Sequence, residues 1–285
     1  MKAKKSKIYV ITIFLFVSIT LFAENLNTNS ERKSEFVSIL NKLEEQRSVL
    51  DYDMFDKYRK EICSEHIEEI KEEAQNNNSI AQYYLGWCYF EGVGLTENKY
   101  EAFRWYKKAA ENGNEQAQFN LAGFYYQGLG VKQDNSEAVS WFRKAAEQGN
   151  AMAQTVMGNC YEFGIGVYSN YQEAFKWYKK AAEQGEANAQ SNLGVLYEKG
   201  LGVMKNEWKA VEWYRKSADQ GIAMAQYNLG YCYTRGIGVE KNYNEAVIWY
   251  QKAANQGHEG ALHDLKIVKK TISNRMTNIY GLSGD

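Results

Sequence analysis

The sequence predicts an all-α solenoid of helix-turn-helix repeats, and three observations carry that expectation. One pattern, Ala-Gln, Leu-Gly, Tyr, Gly-x-Gly, Ala, Trp, Ala-Ala, Gly, returns five times at an unbroken spacing of 36 residues, marked by Trp105, Trp141, Trp177, Trp213 and Trp249. Apolar positions within each block recur at helical spacing: Ala81, Leu85, Cys88 and Tyr89 stand at i, i+4, i+7 and i+8. Proline is absent throughout the 285 residues, so glycine turns supply the punctuation. A unit this short cannot bury its own apolar face, and neighbouring units must stack into one continuous core.

The first 23 residues lie outside that pattern. Lys2, Lys4, Lys5 and Lys7 precede an uncharged run from Ile8 to Phe22, which ends at Ala23. This is the layout of a secretory signal peptide, too short for the roughly 20 residues that span a bilayer. Leu21, where a small residue is usual, leaves an uncleaved anchor as the alternative to cleavage after Ala23. Removing the segment takes four lysines from 34 and leaves 30 basic residues against 35 acidic ones, a balance that disfavours nucleic acid as a partner.

Residues 24–34 read as a flexible polar lead. Residues 35–76 read as a degenerate helical N-terminal cap, with Phe36, Ile39, Leu40 and Leu43 on one face and Glu69 in the tryptophan register. The five repeats occupy 77–256. In the first, a helix ends at Gly92, which can take the left-handed cap conformation, and Leu95 plugs the loop beneath it. Asn98, matched by Asp134, Asn170, Asn206 and Asn242, caps the second helix. Glu101, Glu137, Glu173 and Glu245, three positions later, predict a capping box in four of the five blocks. Ala102, Trp105, Tyr106, Ala109 and Ala110 form the inner stripe, with Gly86 and Ala102 allowing close approach and the indole filling the gap beside them. Residues 257–272 keep first-helix register at Ala261 and Leu265 but carry Lys266 and Lys269, as a polar C-terminal capping helix should. Residues 273–285 read as a disordered tail.

Several features imitate chemistry. The Gly-x-Gly turns lack the preceding strand and third glycine of a dinucleotide site. Lys107-Lys108, Arg143-Lys144, Lys179-Lys180 and Arg215-Lys216 form a basic ladder, which Glu111, Glu147, Glu183 and Asp219 can neutralise within each helix. His66, His258 and His263 are too few and too badly spaced for a metal centre, and neither a metal nor a cofactor is expected. Cys88, Cys160 and Cys232 share one repeat position two blocks apart, beyond the roughly 7 Å Cα separation that a disulfide tolerates. Cys63 with Cys88 is the one plausible pair, and its alternative is a pair of buried apolar thiols.

Written out, Ala-Gln-x-x-Leu-Gly-x-x-Tyr-x-x-Gly-x-Gly-Val followed by Ala-x-x-Trp-Tyr-x-Lys-Ala-Ala-x-x-Gly resembles the Sel-one-like repeat family, relatives of the tetratricopeptide repeat, from residue 77 to about 270. The resemblance implies a right-handed, tetratricopeptide-like superhelix whose first helices line a concave groove, and an adaptor function. Some exported cysteine-rich relatives are linked to β-lactam binding or hydrolysis; Ala110, Ala146, Ala182, Ala218 and Ala254 stand where a partner cysteine would be sought.

Function must come from the positions that the period leaves free. On the first helices these include Tyr83, Trp87, Phe90, Phe119, Asn120, Tyr126, Asn159, Asn192, Tyr227, Asn228 and Tyr231, a groove aromatic at both ends and polar in the middle. Tyrosine and tryptophan offer contact area with a polar handle, and asparagine can bracket a peptide backbone. The expectation is an exported, periplasmic or secreted, non-enzymatic monomer that binds a protein or peptide partner and has no membrane span once the leader is removed. The alternatives are a β-lactam or cell-wall-peptide hydrolase and a glycan-binding envelope module. The hydrolase needs an activated nucleophile, and the one Ser-x-x-Lys, Ser30 to Lys33, falls in the lead.

Overall fold

The computed structural model describes residues 29–47 and 52–280, and the leader lies outside them. Fourteen helices run through the described residues, with no strand among them. Three precede the repeats: α1 (Asn29–Gln46), α2 (Tyr52–Glu65) and α3 (Ile67–Gln75). The repeats follow as α4 (Ser79–Glu91) with α5 (Lys99–Glu111), α6 (Glu115–Gln127) with α7 (Asn135–Glu147), and α8 (Ala151–Phe163) with α9 (Tyr171–Glu183). The last two are α10 (Ala187–Lys199) with α11 (Glu207–Asp219), and α12 (Ala223–Arg235) with α13 (Tyr243–Asn255), before α14 (Glu259–Tyr280). Two boundaries differ from the sequence reading: α1 opens inside the expected lead, so Ser30 and Lys33 fall within its range, and α14 continues eight residues past the expected end of the cap.

The chain divides into two compact units, Met1–Trp141 and Phe142–Asp285. In the first, α1 packs on α3 and α4, with Phe36, Ile39, Leu40 and Leu43 all buried. The Tyr84 hydroxyl donates to Glu44 at 2.8 Å. Cys63 and Cys88 are buried, unbridged thiols, and burial raises the Cys63 pKa. In the second unit a core runs through Ala174, Tyr178, Leu193, Tyr214 and Leu229, and α14 closes the end by covering Ala246, Tyr250 and Ala253.

The close approach expected at Gly86 occurs, but with a different partner. The ring of Tyr106, not the neighbouring indole, lies on Gly86, and Tyr214 and Tyr250 repeat the arrangement on Gly194 and Gly230. Tyrosine sits on the inner face one residue beyond the indole's direction, and a Cβ at Gly194 would come within 2.6 Å of the Tyr214 ring. The second glycine of the turn has its own reason. Gly130 has φ +64, and a Cβ there would meet the Lys99 carbonyl oxygen at 2.6 Å, so this turn packs against the start of the previous block's second helix.

The capping box forms only in half. Asn98, Asp134, Asn170 and Asn242 each accept from two amides of the following turn, as expected of N-caps. Their own amides, however, already donate to the carbonyls of Tyr89, Tyr125, Tyr161 and Tyr233 at 2.8–2.9 Å. With that donor occupied, the glutamates turn outward: Glu101 pairs with Arg104 and Glu173 with Lys176.

A buried amide series, unforeseen from the pattern, ties each block to the one before it. Gln190 donates to the Ala182 carbonyl at 3.2 Å and accepts from Gln220 at 2.9 Å, while Gln220 also donates to the Gly185 carbonyl at 3.0 Å. Gln154 with Gln184, and Gln226 with Gln256, repeat it. A buried amide group is tolerated only when satisfied, and here both ends of the side chain are used.

Candidate functional site

The eleven groove positions separate according to what covers them. Tyr83 is 1% and Trp87 4% exposed. Tyr83 packs against the rings of Tyr84 and Tyr106, and the Arg59 guanidinium, held by Asp56 at 2.6 Å, lies 3.9 Å over the Trp87 ring. Both side chains therefore belong to the core, not to an open groove: the first repeat must hide its apolar face, and the preceding helices do so. Phe90 packs on the buried Phe124 at 5.4 Å, and Asn120 is half-buried beside Tyr106. Phe119 is half-buried, and Tyr126 is the most open of the six at 42%.

In residues 142–285 the remaining five come together. Asn159 on α8, Asn192 on α10, and Tyr227, Asn228 and Tyr231 on α12 all line one cavity of about 480 Å³. Glu162, Glu198, Tyr214 and Lys199 complete its polar wall, while Val195, Phe163 and Met224 are apolar; the last two are exposed. These are all products of helical register: Asn192 and Asn228, like Glu162 and Glu198, are one period apart, so each pair occupies the same place on adjacent first helices.

Hydrogen bonds hold this wall in place. The Tyr178 hydroxyl lies 2.6 Å from Asn159 Oδ1 and 2.7 Å from Glu162, its single proton shared between these two acceptors, and Asn192 donates to the same Asn159 oxygen at 3.3 Å. The Tyr214 hydroxyl donates to Glu198 at 2.5 Å. Burial first, and then the adjacent carboxylate, raise the Tyr178 and Tyr214 pKa values far above the usual range, so both remain neutral donors. At the far side Tyr227 stacks on His258 at 4.5 Å and donates to Asp264 at 3.2 Å. Repeat register places Glu162 and Glu198 among the groove-facing positions, but a carboxylate on a solvated helix carries no signal of its own as a binding residue. Only the buried tyrosine behind each one reveals a fixed position.

The basic ladder is in part neutralised within its own helices, as expected, and it also makes a second kind of contact. In three of the pairs the lysine in second place lies over the repeat tryptophan, Lys108 on Trp105 at 4.1 Å, Lys180 on Trp177 at 4.5 Å and Lys216 on Trp213 at 4.0 Å. Lys107 and Lys179 reach Glu111 and Glu183.

The Sel1 repeat profile matches the chain at residues 79–114, 115–150, 151–186, 187–222 and 223–258. Among solved structures, c5321, a protective antigen of uropathogenic Escherichia coli displaying an SLR fold, is 34% identical with a TM-score of 0.71, covering 85% of this chain and 52% of its own. This chain thus spans about half the length of that protein. A Sel1 repeat protein from Oxalobacter formigenes is 34% identical with a TM-score of 0.65, covering 79% of this chain and 86% of its own. A search of the curated proteins gives no match. Among the described residues, no helix is long and apolar enough to cross a membrane.

Proposed function

From a chain that belongs to the Sel1 repeat family, whose solenoid fold typically serves as a protein-interaction scaffold, we infer an exported, non-enzymatic adaptor that holds an extended segment of a partner protein in the α8–α10–α12 cavity. The observation that carries this reading is the meeting of Asn159, Asn192, Tyr227, Asn228 and Tyr231 around one cavity. Asn192 and Asn228 offer amide donors and acceptors in repeat register, the requirement for gripping a peptide backbone. Tyr227 and Tyr231 add contact area with polar tips. Tyr83 and Trp87 have no part in it, because they are covered.

Export rests on the basic, then apolar, opening of the chain. A photo-crosslinking residue at Tyr231 in the producing cell should yield a discrete protein adduct that Asn192→Ala with Asn228→Ala abolishes. An equal adduct from the exposed Ile248 on α13, unaffected by those changes, would place the contact elsewhere.

A further inference from the structure

The cavity wall contains more charge than a bracket for a peptide backbone requires. Glu162 and Glu198 are half-buried, each is fixed by a buried tyrosine hydroxyl, and neither has a cationic partner among the described residues. A carboxylate oriented in this way still has acceptor capacity after taking one hydroxyl bond, and that capacity faces the cavity. None of the nearby cations forms an ion pair with either glutamate: Arg235 lies against the Tyr231 ring at 5.7 Å, Lys199 is exposed on the rim, and Lys205, which senses Glu198 only weakly, pairs with Glu207 at 2.8 Å. A third acid, Asp264, stands behind Tyr227. Exposed Phe163 and Met224 offer apolar surface at the same mouth, suited to an aliphatic stem that ends in a positive charge.

We propose that the cavity takes two basic side chains, arginine or lysine, from one extended peptide, with Glu162 and Glu198 as their separate counter-charges; this rests on reading the cavity as a peptide site. The two carboxylates occupy the same register on α8 and α10, which are neighbouring helices. Packed helices lie about 8–10 Å apart, and a chain extended as polyproline II advances about 3.1 Å per residue with three residues per turn, which brings side chains i and i+3 to the same face. Three residues cover that interval. The recognised element is therefore basic-x-x-basic, and arginine fits best because its planar fork matches a carboxylate in two-point contact.

The test uses the full chain and three acetylated tetrapeptide amides: Arg-Ala-Ala-Arg, the uncharged Nle-Ala-Ala-Nle with norleucine, and Arg-Arg-Ala-Ala. Binding is read from the NMR signals of the Asn159, Asn192 and Asn228 side-chain amides. Arg-Ala-Ala-Arg should bind about fivefold or more tightly than either of the others, and lose that margin at high salt. Glu162→Gln with Glu198→Gln keeps an acceptor for each tyrosine, and it should erase the preference while leaving the melting temperature close to that of the parent. Equal binding of the norleucine peptide, unchanged in the double variant, overturns the charge assignment but leaves the peptide site intact. Perturbation of none of these amides by any of the peptides overturns both.

Discussion

At the scale of single residues, close approach and burial decide what can change. Gly194 faces the Tyr214 ring with no room for a methyl group, and the Ala210 carbonyl lies 3.2 Å from where that methyl would stand. Gly194→Ala should therefore destabilise the protein by about 1–3 kcal/mol, as overpacking does; a urea unfolding midpoint equal to the parent's would refute this contact. Cys160 and Cys232 show burial acting on titration. Removal from water pushes their thiols up to about 11 and about 12, from an ordinary 9.0. In the folded protein they stay neutral at pH 8 and should resist a thiol-reactive dye, while denaturant exposes all four cysteines to it at once. The sign of the linkage follows. These raised groups, with Tyr178 and Tyr214, give their full stability below the unfolded-state values and lose it as the pH climbs, because only the unfolded chain can then release its protons. The urea midpoint should fall between pH 9 and pH 11, and a flat profile would contradict this burial.

At the scale of elements, a comparison within one helix start separates the bond that forms from the one that does not. Asn170 accepts from the amides of Gln172 and Glu173 at 3.0 and 3.1 Å. Asn170→Ala should cost about 1 kcal/mol. Glu173→Ala should cost no more than a few tenths, because its ion pair with Lys176 is exposed and the capping amide is already bound to Tyr161. Similar losses in thermal melts would show that the capping box operates after all. The helix ends were legible in the sequence because caps and left-handed glycines are local devices. The capping box was overread because its missing half depends on a carbonyl from the preceding helix, nine residues back, which no spacing rule includes. The site was legible in part for the same kind of reason. Repeat register located Asn192 and Asn228, but whether a first-helix face is open depends on the neighbour packed over it, and α1 to α3 hide Tyr83 and Trp87 in a way that register cannot express.

At the scale of the whole molecule, ends and repeats obey different rules. A terminal block exposes its apolar face unless something covers it, so deleting residues 259–285 should lower the melting temperature and increase hydrogen exchange in α13, where Ala246, Tyr250 and Ala253 lose their cover. Unchanged exchange there would show that α14 is not a cap. The glutamine series of Gln154, Gln190 and Gln226 has a further consequence for how such a chain can lengthen over generations. Each block leaves behind the carbonyl that the next block's glutamine requires, so duplication of a whole 36-residue segment creates a junction indistinguishable from the existing ones. An insertion of any other length within a helix strands a buried amide on both sides of the seam. Among changes of length inside the helices, only whole blocks therefore keep every buried amide paired.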